Sequence, residues 1–378
     1  MSGKILITGC AGSVGHNMLY EIACMTPRFK VVGVDINEKT GRGVVEEALH
    51  ITHNLNHFTD ISFRKVDLFD IRETAEILKE IKPDVVCHFA SLGSWWITRL
   101  LPKEVYEKIC PLGPWLPNHL TLAYKLMQAV KRSGIETKVV NGAYPDLTNV
   151  VLGKVGLTPI CGGGNMDHAC ERIRRIVARE LKIAARNVFI FGVGHHGTHY
   201  TSKLRGPFWL KILVEGNDVS DQFPPDKIRK LYDATGFGEL NRFTEPIVEQ
   251  HRTASAFLKN VLSIYFDTCD IHMCIPGPNG LPGGYPTRLS AKGAKVVLPE
   301  EITLEEAIKI NEEGAIWDGI ERVKEDGTVV YLDENVRNMS EVLGYECKEL
   351  KISEVEERAK ELNIKLRKLY EKYKISFS

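Results

Sequence analysis

Two short stretches carry the residues best suited to chemistry. One runs Gly-Gly-Gly-Asn-Met-Asp-His-Ala-Cys from Gly162 to Cys170, and the other Gly-His-His-Gly from Gly194 to Gly197. Asp167 falls at the start of a helix-like run, and His196 just past the apolar strand-like run Val188–Val193. A histidine titrates near neutrality, and a carboxylate beside it raises its pKa and fixes its tautomer. The pattern therefore suggests an acid/base pair between a carboxylate at a helix start, Asp167, and a histidine just past a strand, His195 or His196.

A second group sits at the N-terminus. Gly9-Cys-Ala-Gly12-Ser13-Val14-Gly15 follows the apolar run Ile5–Thr8 and opens a helical pattern. Glycines there permit a tight turn and a close approach of backbone to a pyrophosphate, which the free N–H groups of the helix start would bind. Asp35 ends the next strand. A carboxylate at that place accepts hydrogen bonds from a ribose diol and repels a 2′-phosphate, so the expected cofactor is NAD rather than NADP. Asp67, after the third strand, is placed either at an adenine edge or as a helix-capping residue.

The elements that must position these groups alternate. Strands are expected at Ile5–Thr8, Val31–Val34, Ile61–Val66, Asp84–Phe89 and Lys138–Asn141. Helices are expected at Val14–Cys24, Glu38–His50, Ile71–Ile81 and Leu120–Ser133. Strict alternation argues for an α/β fold with a doubly wound parallel sheet. The stretch Ser91–Pro117 breaks the rhythm with Trp95, Trp96, Trp115 and four prolines, and reads as a functional loop. Beyond Asn141 come a helix near Met166–Leu181, the strand Val188–Val193, a long helix around Glu245–Asp267, an amphipathic stretch Leu304–Arg322 and a terminal helix Ile352–Tyr373. We divide the chain into a dinucleotide-binding domain, 1–150, and a mixed α/β substrate domain, 151–378.

The chain has 378 residues, enough for two domains, with 49 basic against 49 acidic residues. That balance implies no general attraction to nucleic acid or to an anionic membrane. Nine cysteines without a Cys-x-x-Cys argue against a disulfide framework or structural zinc, and fit a reducing cytoplasm. No apolar run approaches membrane-spanning length, and no signal peptide precedes the first strand.

Met166-Asp167-His168-Ala169-Cys170-Glu171-Arg172, the Gly194–Gly197 segment, Asn141 with Pro145-Asp146-Leu147-Thr148, and the glycine loop together resemble the malate/lactate dehydrogenase family. The likeness runs from about Lys4 to Tyr200 and continues faintly to Pro286. It implies that His196 takes the hydroxyl proton while hydride leaves the same carbon for the nicotinamide, and that Asp167 orients the imidazole. It also implies an Asn141 amide hydrogen-bonded to the substrate oxygen, a small-molecule substrate and a homo-oligomer, dimer or tetramer.

The sequence departs from that family at two places. Where the family has an arginine that grips the substrate carboxylate, this chain has Cys170, and a thiol makes no bidentate charged contact. Arg174 and Arg252 are replacement candidates, while Arg172 matches a different family position. Where the family carries an arginine-bearing lid, this chain has Ser94-Trp-Trp-Ile-Thr-Arg99, so Arg99 is either the carbonyl-polarising residue or a solvated loop charge. The tryptophans either line a substrate pocket or anchor the loop. The expected reaction is thus NAD-linked oxidation of a secondary alcohol in a 2-hydroxy acid, sugar acid or polyol. Three alternatives stand beside it. The N-terminal half is also similar to the extended short-chain dehydrogenases, but the only Tyr-x-x-x-Lys spacing they need is Tyr370 to Lys374, in the charged tail. A metal-assisted NAD-dependent glycosidase would use Cys161 with His195, His196 or His199. A non-catalytic NAD-binding regulator would use the glycine loop alone.

Overall fold

The computed structural model describes residues 3–26, 30–93, 95–235 and 246–375. Five strands form one parallel sheet: β1 (Lys4–Thr8), β2 (Lys30–Asp35), β3 (Asp60–Lys65), β4 (Val85–His88) and β5 (Lys138–Asn141). Their order is β3-β2-β1-β4-β5, the doubly wound arrangement expected, with its switch point between β1 and β4. Both faces of β1 are covered, because its residues alternate between two cores. Ile5 and Ile7 pack beneath α1 (Ser13–Ala23) and α2 (Glu38–Asn54). Leu6 packs toward α3 (Ile71–Ile81) and, past the short α4 (Lys103–Ile109), α5 (Leu116–Ser133).

The stretch Ser91–Pro117 is more structured than a loop. It holds a 3-10 helix, Trp95–Leu100, and α4. Trp115 is buried and donates its indole N–H to the Ile109 carbonyl at 2.8 Å, so it anchors this stretch to the core. The side chains of Trp95 and Trp96, assigned above to a pocket or an anchor, lie outside the described residues.

Two helices, α6 (Pro145–Lys154) and α7 (Met166–Leu181), lead to an antiparallel sheet. It contains β6 (Val188–Gly194), β7 (Phe208–Val214), β8 (Asn217–Asp218), β9 (Ile271–Pro276), β10 (Gly284–Ser290) and β11 (Gly293–Val296), in the order β11-β10-β6-β7-β8 with β9 paired to β10. Between β8 and β9 lie α8 (Pro225–Ala234) and α9 (Pro246–Tyr265), and α9 returns to pack on α1.

The expected single amphipathic stretch Leu304–Arg322 is divided. A helix, α10 (Leu304–Ala315), gives way to a 3-10 turn, Ile316–Asp318, and then to β12 (Ile320–Val323). Gly319 has φ of 83°, and that left-handed residue ends the helical run. The remainder forms β13 (Val329–Tyr331), α11 (Asp333–Leu343), β14 (Glu349–Leu350) and α12 (Val355–Lys372), and α12 lies against α5. One core, including Leu120, Leu126, Tyr331, Leu362 and Leu369, therefore joins the C-terminal segment to the first sheet. No helix among the described residues is long and apolar enough to cross a membrane.

Candidate functional site

The glycine loop has the geometry of an anion cradle. Gly9 has φ of 73°, and a Cβ on Gly15 would stand 2.3 Å from the Gly9 carbonyl oxygen, so neither position tolerates a side chain. Ser13 and Val14 open α1, whose N-cap, Gly12, offers no side chain to its free N–H groups. Asp35 closes the cradle: Oδ2 accepts from the Ala11 N–H at 3.0 Å and Oδ1 from the Asn37 N–H at 2.9 Å. Each oxygen keeps a lone pair for a ribose hydroxyl. These residues fit a dinucleotide. Asp67 accepts from the Phe69 N–H at 2.9 Å and so holds the turn after β3.

The second cluster forms past the end of β6. His196 follows Gly194 and His195 into a 3-10 turn, and its backbone N–H donates to Asp146 Oδ1 at 2.9 Å. Asp146, in the first turn of α6, also accepts through Oδ2 from the side chain of Asn165, the N-cap of α7. One buried carboxylate thus ties three element ends together. The backbone is strained on both sides of it. Tyr144, before α6, has φ of 50°, and Asn165 has φ 56° and ψ −123°. Such conformations persist only where the surroundings over-determine them.

His196 and Asp167, the expected pair, are each bonded to a different residue in the structure. His196 Nδ1 lies 2.7 Å from Oδ2 of Asp318, a carboxylate 122 residues downstream. Asp167 instead bonds Lys259 of α9, its Oδ2 at 2.5 Å from Nζ. The cause is local. The first turn of α7 presents Asp167 to α9, while the tight turn after α10 delivers Asp318 under the His196 ring. Gly197 makes that approach possible, since a Cβ there would meet the Gly314 carbonyl at 2.6 Å and the Asp318 nitrogen at 3.0 Å.

The electrostatics follow from this pairing. Burial pulls His196 down, but the Asp318 carboxylate outweighs it, and the imidazole is held above its ordinary value. For Asp318, burial pushes up, and His196, with smaller help from His195 and Tyr144, brings it below the usual carboxylate range. The carboxylate assigns the imidazole proton to Nδ1, so Nε2 is the basic nitrogen. His195, the competing base, is fully buried. Its Nδ1 accepts from the Gly197 N–H at 3.1 Å, and burial lowers its pKa.

Other expected residues sit as follows. Asn141 ends β5, but its amide is engaged internally: Nδ2 donates to Asn149 Oδ1 at 2.8 Å and Oδ1 accepts from Ala143 at 3.0 Å. It builds the turn leading to Tyr144. Arg99 is exposed on the 3-10 helix Trp95–Leu100. Cys170 is fully buried, and a Cβ on Gly192 would stand 2.4 Å from its sulfur. No arginine fits there. Arg172 stacks on Tyr232, with Cζ 3.8 Å from the ring centre, and Arg174 pairs with Glu171. Cys161 pairs through its backbone with Val140 and Asn141, and burial pushes its thiol up to about 12. Among the described residues no three His, Cys, Asp or Glu side chains are gathered as a metal site. Asp318 and Tyr144 were missed by sequence reasoning. The Asp318-Gly319 pair, a common turn signal, was the trace of the first.

Lactate dehydrogenase from Eimeria maxima, solved with NADH and oxamate, superposes with a TM-score of 0.59 at 17% identity over 84% of this chain and 91% of that one. Malate dehydrogenase from Picrophilus torridus gives 0.57 at 20% identity over 84% and 98%. Lactate dehydrogenase from Cryptosporidium parvum, solved with lactic acid and the dinucleotide, gives 0.57 at 18% over 84% and 96%. The fold is that of the lactate and malate dehydrogenases. Residues 5–143 also match the NAD dependent epimerase/dehydratase family, in accord with the short-chain-dehydrogenase likeness of the first half. No curated protein matches the sequence.

Proposed function

We propose that the chain is an NAD-dependent oxidoreductase that moves a hydride between the nicotinamide and the carbinol carbon of a small polar secondary alcohol. The observation that carries this reading is the His196–Asp318 pair at 2.7 Å, on a fold that also carries the glycine cradle. Gly9, Gly12, Gly15 and the N–H groups of Ser13 and Val14 would hold the pyrophosphate, and Asp35 the ribose. NAD supplies the hydride acceptor when bound.

The residues then divide the work. His196 Nε2 takes the hydroxyl proton as the alcohol is oxidised, and returns it in the reverse direction. Asp318 holds Nδ1–H and stabilises the imidazolium formed at that moment. Asp146 fixes the His196 backbone. The fold relatives solved with oxamate and lactic acid support a hydroxy acid, and the buried Cys170 argues for a different carboxylate grip or none. The substrate class is therefore a 2-hydroxy acid, sugar acid or polyol. Arg99 is retained as a candidate for polarising the carbonyl oxygen. The reading also places the chain in the cytoplasm as a homo-oligomer, with the cofactor half ending near residue 150.

The test is a screen of NAD reduction against hydroxy acids, sugar acids and polyols, with His196→Asn as control. Turnover of at least one class, lost in the variant while NAD binding is retained, is expected. Retained turnover in His196→Asn would overturn the assignment.

A further inference from the structure

Tyr144 has no place in the reaction as described so far, yet it is built into the same cluster. Its hydroxyl donates to Asp318 Oδ2 at 2.8 Å, the very oxygen that accepts from His196 Nδ1 at 2.7 Å. Its ring stands edge-on to the His196 imidazole, with centroids 5.6 Å apart at 72°. On its other side stands His119 of α5, at 6.2 Å. The side chain is buried, and the backbone beneath it is held at φ 50°, a left-handed conformation that an aromatic residue rarely adopts.

We propose that Tyr144 is a positioning residue of the His196–Asp318 pair: it divides the Asp318 oxygen with the imidazole and sets how strongly that carboxylate holds the His196 proton. This rests on the reading of His196 as the base. The logic is that of a shared acceptor. A hydroxyl donating to Oδ2 drains part of its charge in every protonation state of His196. The imidazolium therefore meets a weaker partner, and the nitrogen is freed to give its proton back. Tyr144 serves as a donor throughout the working range, since burial first and Asp318 second push its own hydroxyl well above its usual value.

Besides Tyr144, the titratable groups facing His196 among the described residues are few. They are Asp318 on the turn after α10, Asp146 on α6, His119 on α5, and its neighbours His195 and His199. Burial is the first cause lowering each of those three histidines, His119 to about 4 and His199 to about 3, so they stay neutral near pH 7.

The test follows the His196 imidazole by NMR titration of the full chain, which needs no substrate. Tyr144→Phe keeps the ring and removes only the hydroxyl. The His196 midpoint should rise by roughly half to one pH unit, in line with the loss of one hydrogen bond to a charged group. In an Asp318→Asn background the same change should add nothing. An unmoved midpoint in folded Tyr144→Phe, or an equal shift in both backgrounds, overturns the proposal. Should Tyr144→Phe not fold, 3-fluorotyrosine placed at position 144 keeps the shape and strengthens the donor. The midpoint must then fall, and a midpoint that stays or rises overturns the proposal. Failure of the base assignment reads differently: turnover would survive His196→Asn whatever the titrations show.

Discussion

Replacing Asp318 and Asp167 in turn by asparagine separates the two carboxylates that compete for His196. Asp318 is wholly buried, and His196 retains 21% of its side-chain exposure, so their contact is little screened by water. Without the charge, burial alone acts on the imidazole, and its titration midpoint should fall, by about one to two pH units. Asp167→Asn should leave that midpoint in place, because its carboxylate is spent on Lys259. In the assay for substrate reduction, Asp318→Asn should cost about two to four orders of magnitude in kcat, the scale on which a misoriented or wrong-tautomer base is felt.

Stability supplies a second readout with a definite sign. His196 is raised by folding, so its contribution is full below the unfolded histidine pKa and is lost as pH rises through its folded value. Asp318 is lowered, so its contribution is full above the unfolded aspartate pKa and is lost as pH falls through its folded value. The pair therefore stabilises most between the unfolded values 3.8 and 6.5. There Asp318→Asn should cost about 2–4 kcal/mol, less outside the window. A His196 midpoint that moves in Asp167→Asn and not in Asp318→Asn would refute the assignment.

Three further outcomes are expected. Gly15→Ala, whose new methyl would meet the Gly9 carbonyl, should weaken NADH binding by at least about tenfold, measured by the quenching or enhancement of cofactor fluorescence. Lys259→Met should lower stability by about 1–3 kcal/mol in denaturant melts, since it strands a buried carboxylate; the lysine is 36% exposed, so screening limits the effect. Cys170→Arg, which restores the residue seen in the resembled family, should not create a carboxylate grip. It should destabilise the core by more than about 3 kcal/mol, because Gly192 and the β6 backbone occupy the space; a folded variant with tighter oxamate binding would contradict this.

The cofactor half was legible because its signals are local. The glycine loop, the alternating apolar runs and Asp35 all lie within a few residues of the elements they belong to, and β1 through β5 form within a few residues of the expected strands. The segment Gly194–Gly197 that holds His196 was legible for the same reason, past an expected strand. The carboxylate bonded to His196 was not. A contact between positions 196 and 318 leaves no mark on either segment, and the stretch Leu304–Arg322 keeps its helical periodicity across the point where the chain turns. The Gly319 stop is a single residue, easily outweighed by eighteen others. Likewise, the fate of Asn141 depends on Asn149 one turn into α6, a helix whose start at Pro145 is masked by the positive φ of Tyr144.

The long-range partner changes how the site must assemble. Its histidine comes from the 3-10 turn past β6, its backbone clamp from α6, and its carboxylate from a turn that follows α10. That turn is held in place from the far side, because β12, β13 and α12 continue from it into the core shared with α5 of the first sheet. On the proposed assignment, the segment after residue 318 therefore anchors the partner of His196. An arrangement with Asp167 as partner would be local to α7 and β6 and indifferent to the C-terminus. With Asp318 the proposed acid/base pair joins segments 122 residues apart, so it needs the turn after α10 in place.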